Sequence, residues 1–299
     1  MLNLSNRAVR LAAATGSLFV IVAGHSASAA TFLGDDLETF AVLGASTVTN
    51  VEPSTIVGNV GVAPGTAITG FNSVSGIATD DDQVTNGQVH SNTPLAQSAQ
   101  NQLTTARNNL SSLGAGMLLS ADLANAVLAP GVYTVPAGTT NLSGTLTLDG
   151  GGNLNAAWVF QFPSTLITSP NSTVNMINTG PGAGLFWNVG SSATIDVNTT
   201  FLGNILALTS VSANTSATIL CGRALAETAA VTLQMNSIFA GDCAGDLAGS
   251  AGLSGGLAVS DDGDVSFLPP AVIPLPASFL LLLGAIGGLG MFGRRRRSS

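Results

Sequence analysis

Residues 191–234 read SSATIDVNTTFLGNILALTSVSANTSATILCGRALAETAAVTLQ. Within them apolar residues alternate with Thr, Ser and Asn in short runs. A period of two puts alternate side chains on opposite sides of a strand, one side buried and one solvated. The solvated side here carries hydroxyls and small groups, where a soluble protein normally shows Lys, Glu and Asp. Aligning 190–208 with 209–226 gives a repeat of roughly 18 residues. A repeat that short, with two or three strands in it, predicts a β-solenoid whose coils stack on one another.

Working outward, one set of strands reads TLTLD (145–149), TLITS (165–169), ATIDV (193–197), SVSAN (210–214) and VTLQ (231–234). Parity turns Leu146, Leu148, Leu166, Ile195, Val197, Val211, Val231 and Leu233 inward. Thr145, Thr147, Thr165, Thr194, Ser210, Ser212 and Thr232 then face outward as a flat, hydroxyl-rich surface, interrupted by Ile167 and Asp196. A second set, STVNMI, TTFLGNI and SATILCG, presents Thr173, Asn175, Thr200 and Thr218 as an alternative face. A third, WVFQF, LFWNV, NILAL and RALAE, is more apolar and aromatic, and is expected to seat a helix. That helix is predicted over about 94–113. Thr93-Pro94 gives an N-cap with Pro at the first helical position, Leu95, Ala99, Leu103, Ala106 and Leu110 recur every three or four residues, and Gly114 closes it.

Composition excludes several functions. The chain has 299 residues, only 8% of them charged, with 45% hydrophobic residues and no Lys. Arg7, Arg10 and Arg294–Arg297 sit at the two ends. Arg107 and Arg223 alone face all sixteen acidic residues, a formal body charge of −14 that opposes nucleic-acid binding. His90 is the one His outside the N-terminal segment and reads as a surface residue of a polar loop. It makes no Ser-His-Asp or His-based metal site, so neither enzyme activity nor a cofactor is expected; Asp80, Asp81 and Asp82 could hold Ca²⁺ weakly but lack the spacing of an EF-hand loop and read as a solvated loop. Asp149 and Asp196 would have to pair to serve a glycoside hydrolase. Cys221 and Cys243 can form a disulfide in an oxidising compartment, or remain a small buried thiol and a free one.

The ends read as addresses. Residues 1–29 have two Arg, an apolar run at 18–23 and Ala27-Ser28-Ala29, the layout of a signal peptide. Residues 270–299 hold Ile273-Pro274-Leu275-Pro276-Ala277, an apolar helix expected at 277–292 and four Arg. This tail resembles the PEP-CTERM sorting signals of bacterial exported proteins. The resemblance implies a sorting protease as partner, transient or permanent membrane anchorage, and a place at the cell surface or outside the cell. Residues 241–269, rich in Gly, Ala and Ser, read as a linker between the body at 30–240 and the tail.

The body as a whole resembles a family. FAVLGASTVTNVEPSTIVGNVGVAPGTAITGF (40–71), GVYTVPAGTTNLSGTLTLDG (131–150), WVFQF and the stretch 190–233 fall in the order seen in microbial ice-binding proteins of the β-solenoid-plus-helix type. The usual VNGRALA stands here as LCGRALA (220–226). The resemblance implies a mainly β fold, a right-handed discontinuous β-solenoid of triangular cross-section with one long helix along a face. It implies an ice crystal surface as the partner, met by a flat face without metal or cofactor. The reading from a different class is a cell-surface adhesion or matrix protein that binds glycans or other cells.

Overall fold

A computed structural model describes residues 31–271, apart from 52, 242 and 261. The expected signal segment and the apolar tail with its Arg cluster lie outside the described residues. Among the described residues no helix is long and apolar enough to cross a membrane.

The strands build three parallel ladders, which the chain visits in one rotation from Ala157 to Phe239 and between two of which it alternates from Met117 to Phe162. Ladder I holds Leu166–Ile167, Ala193–Ile195, Val211–Ala213, Val231–Leu233, Thr47–Asn50 and Ala67–Thr69, in that order. Ladder II holds Val127–Leu128, Thr145–Asp149, Thr173–Ile177, the first halves of Thr200–Ala207 and Thr218–Ala226, then Ser237–Phe239, Thr55–Val57 and Val84–Thr85. Ladder III runs from Met117–Leu118 through Gly131–Thr134, Ala157–Phe162, Gly184–Val189, the second halves of the two long strands, Phe40–Gly44 and Asn59–Val62 to Val89–Ser91, with Ala78–Thr79 antiparallel at its end.

The two long strands bend from ladder II into ladder III at Gly203 and Gly222. The register shifts there, between Leu202 and Asn204. Gly203 has φ +87°, and a Cβ on Gly222 would lie 1.9 Å from the Gly203 carbonyl oxygen. Only glycine fits such a stacked pair of corners.

The layers are not evenly spaced along the sequence. Thr145, Thr173, Thr200, Thr218 and Ser237 are successive partners on ladder II, which makes the steps 28, 27, 18 and 19 residues. The repeat of roughly 18 therefore holds only in the later layers, where the glycine bends replace loops. It also misplaces one strand: TLTLD pairs with Thr173–Ile177 and belongs to ladder II, not to the set with Thr194.

Apolar parity fills the interior. Leu146, Leu148, Leu166, Ile195, Val211, Val231 and Leu233 are buried as expected, whereas Val197, expected with them, lies beyond the end of Ala193–Ile195 and is only partly buried. Aromatic rings stack along the axis: Tyr133 on Phe160 at 5.6 Å, Phe160 on Trp187 at 4.4 Å, and Trp187 against Phe201 at 4.8 Å between centroids. Trp158 and Trp187 donate their indole N–H to the Leu128 and Leu202 carbonyls, so neither buries an orphan donor.

The helix α1 (Pro94–Ser112) lies on ladder III. Thr93 caps it, accepting the Ala96 N–H, and Gly114 follows with φ +77°. Ala96, Ala99, Leu103, Ala106 and Leu110 are buried against Phe40, Leu43, Val159, Phe186, Leu206 and Leu225. Leu95, at the helix start, is only partly buried. Nineteen residues rise about 28 Å, and eight ladder steps from Val89–Ser91 to Met117–Leu118 span about 38 Å. The helix with its two connections thus carries the chain from one end of the stack to the other. Arg107 fixes it in place, pairing with Glu227 and donating to the Leu206 and Val189 carbonyls at 3.3 and 3.1 Å.

The stretch expected as a linker packs on the body instead. Leu253 and Leu257 are buried in the core clusters, and Leu257–Val259 pairs with Val265–Phe267 as a hairpin. Cys221 and Cys243 form a disulfide with Cα atoms 5.0 Å apart. Arg223, 1% exposed, donates to the Ala251 and Gly252 carbonyls, to the Glu38 carbonyl and to Asn204 Oδ1. Asn204 Nδ2 donates to the Gly252 and Leu253 carbonyls. Burial lowers the Arg223 pKa to about 10, so it stays charged at neutral pH. A Gly/Ala/Ser stretch offers few side chains to pack, but its carbonyls are what this cation and amide need.

Candidate functional face

Ladder III is covered on its outside by α1 and by the C-terminal strap. Ladders I and II remain open, and the register decides what each displays. On ladder I, Ile167 pairs with Thr194, Thr194 with Ser212, Ser212 with Thr232, Thr232 with Thr49, and Thr49 with Thr69. Five hydroxyls in five successive layers form one row, with Ile167 at its end. The first four are partly exposed and Thr69 is exposed. Thr165, Ser192, Ser210 and Thr47 stand two residues before Ile167, Thr194, Ser212 and Thr49, in a parallel row that Ala230 and Ala67 interrupt. Ser210 Oγ donates to Ser192 Oγ at 2.9 Å. On the far side Asn214 Nδ2 donates to Asp196 Oδ1 at 2.8 Å, so the one carboxylate is held at the border of the face.

On ladder II, Thr145, Thr173, Thr200, Thr218, Ser237 and Thr55 make a second unbroken hydroxyl row. The row beside it is mixed. Thr147 and Asn175 lead into Leu202, Leu220, Phe239 and Val57, all partly exposed. The site residues expected from the sequence therefore divide. Thr165, Thr194, Ser210, Ser212 and Thr232 share ladder I, while Thr145 and Thr147 join Thr173, Asn175, Thr200 and Thr218 on ladder II.

Sequence reasoning missed Thr47, Thr49 and Thr69 on ladder I and Thr55 and Ser237 on ladder II. The alternation in STVTN (46–50) and TAITG (66–70) was there to be read. What local pattern does not show is that these N-terminal strands stack on Val231–Leu233.

Nothing in the described residues assembles a catalytic centre. Asp149 ends a ladder II strand and Asp196 follows a ladder I strand, on different faces. His90 is 6% exposed, in correction of the surface reading. Its ring packs on Phe40 and its Nδ1 lies 3.1 Å from Thr93 Oγ1. Burial lowers its pKa. No group of three or more His, Cys, Asp or Glu converges among the described residues.

The stacked strands of ladder I thus carry a row of hydroxyls in register on an open, nearly uncharged face, a repetitive display in place of a convergent set of catalytic groups. The chain belongs to the ice-binding-like family, whose model matches residues 42–239. It is 42% identical over 200 residues to the ice-binding protein of Nostoc sp. (strain HG1), covering 67% of this chain and 70% of that protein. Among solved structures, an ice-binding protein from the Antarctic ascomycete Antarctomyces psychrotrophicus matches at 32% identity and TM-score 0.62, over 70% of this chain and 98% of that one. An ice-binding protein from an Antarctic biological consortium matches at 30% identity and TM-score 0.61, over 78% of this chain and 96% of that one.

Proposed function

We propose that this protein adsorbs to ice crystals through ladder I and curbs their growth or recrystallisation. The observation that carries the face is the row Thr194, Ser212, Thr232, Thr49 and Thr69, in register over five layers. Stacking spaces such side chains about 4.8 Å apart, and alternate residues along a strand about 6.6–6.8 Å. Hydroxyls on that lattice anchor waters in a regular layer, and the methyls of Thr keep competing hydration low. Thr is stiff at χ1, so the array loses little entropy on binding. Ladder I suits a flat partner better than ladder II because its central outward side chains are small. On ladder II, Leu202, Leu220 and Phe239 rise beside the hydroxyl row.

The reading includes a right-handed solenoid of triangular section, its three sides the three ladders. It includes export by the N-terminal segment, recognition of the C-terminal tail by a sorting protease, and a final place at the cell surface or outside the cell. The three ladders support the triangular section, and the layout of the two ends supports export and sorting.

The test is ice recrystallisation inhibition and thermal hysteresis of the protein beside folded Thr194→Tyr and Thr232→Tyr variants, with Thr200→Tyr and Thr218→Tyr as the ladder II pair. Loss in the first pair alone places the ice face on ladder I. Loss in the second pair alone moves it to ladder II. An inactive parent removes the ice reading and leaves glycan-binding adhesion.

A further inference from the structure

The strands of ladder I are two to four residues long. Strands that short specify their register weakly by their own ladder bonds, and a slip of one residue turns every outward side chain inward. A face that depends on alignment across layers needs its register set from elsewhere.

The corner between ladders I and II supplies it. Along this corner most layers bury a polar side chain: Asn141, Thr168, Thr199, Asn236, Ser54 and Asn50, each at most 5% exposed. These groups bond between layers. Asn141 Oδ1 accepts the Ile167 N–H at 2.9 Å. Thr168 Oγ1 accepts the Asp196 N–H at 2.8 Å and lies 3.2 Å from Thr199 Oγ1. Thr199 Oγ1 donates back to the Ser169 carbonyl at 3.2 Å. The next turn has Ala217 at its buried position, and Asn236 serves that layer from above, donating to the Asn214 and Ala217 carbonyls at 2.8 and 3.0 Å. The Asn236 N–H then bonds Ser54 Oγ, and Ser54 Oγ donates to Asn50 Oδ1 at 2.8 Å.

We infer that this buried polar spine sets the register of the ice-contact face, with Thr199 and Asn236 as positioning residues that touch no ice. Most of these bonds join a side chain of one layer to a particular backbone group of the next, so a slipped layer would leave donors and acceptors buried without partners. The open face is thereby ordered from its border. Ladder III has longer strands and a helix to hold its alignment. The inference rests on ladder I being the face that meets ice.

Thr199 allows the separation of role from stability. Thr199→Val keeps the volume and removes the hydroxyl. Thr199→Ser keeps the hydroxyl and removes a buried methyl. Both variants lose stability, and thermal melts measure how much. If the spine sets register, thermal hysteresis falls about fivefold in Thr199→Val, equivalent to ~1 kcal/mol of surface affinity. In Thr199→Ser it stays within about twofold of the parent, ~0.4 kcal/mol on the same scale. Equal activity in the two variants, at either level, overturns the inference. Should Thr199→Val not fold, Thr168→Val against Thr168→Ser makes the same comparison one bond away. An inactive parent overturns the ice reading itself and this inference with it. An active parent matched by both variants overturns the spine alone.

Discussion

At the scale of single residues, the corner turns before the ladder II strands that begin at Thr173, Thr200, Thr218 and Ser237 take a left-handed conformation two residues ahead of the strand. Asn171, Asn198 and Ser216 occupy it with φ of 62°, 56° and 60°. In the next layer the same position holds Met235, φ 55° and 51% exposed. Asn adopts that region at lower cost than a long side chain. Met235→Asn is expected to raise stability by about 1 kcal/mol in urea unfolding, without touching the core. His90 gives a second prediction. Its burial favours the neutral ring, so the folded state binds fewer protons than the unfolded one. That contribution is intact above the unfolded value of 6.5 and is lost as pH falls below it toward the lowered folded value. Melts between pH 7 and pH 5 should show the decline, and His90→Gln should flatten it. The side-chain parity of nearly every core residue was legible because a period of two is a local signal. The burial of His90 was not, since it depends on Phe40 from a distant strand.

Among elements, α1 was legible almost to the residue. Its cap, its Pro and its apolar spacing all lie within one short stretch. The C-terminal strap was hidden for the opposite reason. Its hold on the body runs through the carbonyls of Ala251, Gly252 and Leu253, groups every residue carries, and the partners, Arg223 and Asn204, sit on strands far back in the chain. Arg223→Met should therefore cost at least ~3 kcal/mol, because it leaves several buried acceptors unpaired. Limited proteolysis should then cut within 241–257 before the body opens. Cys243→Ser opens a loop with a sequence separation of 22, and a loss of about 3 kcal/mol is expected from the freed unfolded chain. Thr145 and Thr147 went to the wrong ladder at this scale. The strand TLTLD has the parity of its supposed set, but the longer loops of the early layers shift it by a third of a layer.

For the whole molecule, the decisive fact is that Val231–Leu233 is followed on ladder I by Thr47–Asn50. The proposed ice face is thus continuous in space and broken in sequence. A Thr49→Tyr substitution, nearly two hundred residues from Thr232, should reduce recrystallisation inhibition as much as Thr232→Tyr does, with the fold intact by circular dichroism. Equal activity to the parent would shorten the face to its C-terminal strands.

The same junction governs how the chain can fold. The strand at 40–44, among the first of the body to be synthesised, lies between Asn59–Val62 and the second half of Thr218–Ala226. Its far side stays bare until more than a hundred and seventy further residues have been made. Such long-range closure is slow, because loop entropy is lost before the contacts form. An incomplete chain exposes apolar strand edges, so the stack cannot close on its first strand until Thr218–Ala226 is available to pair with it.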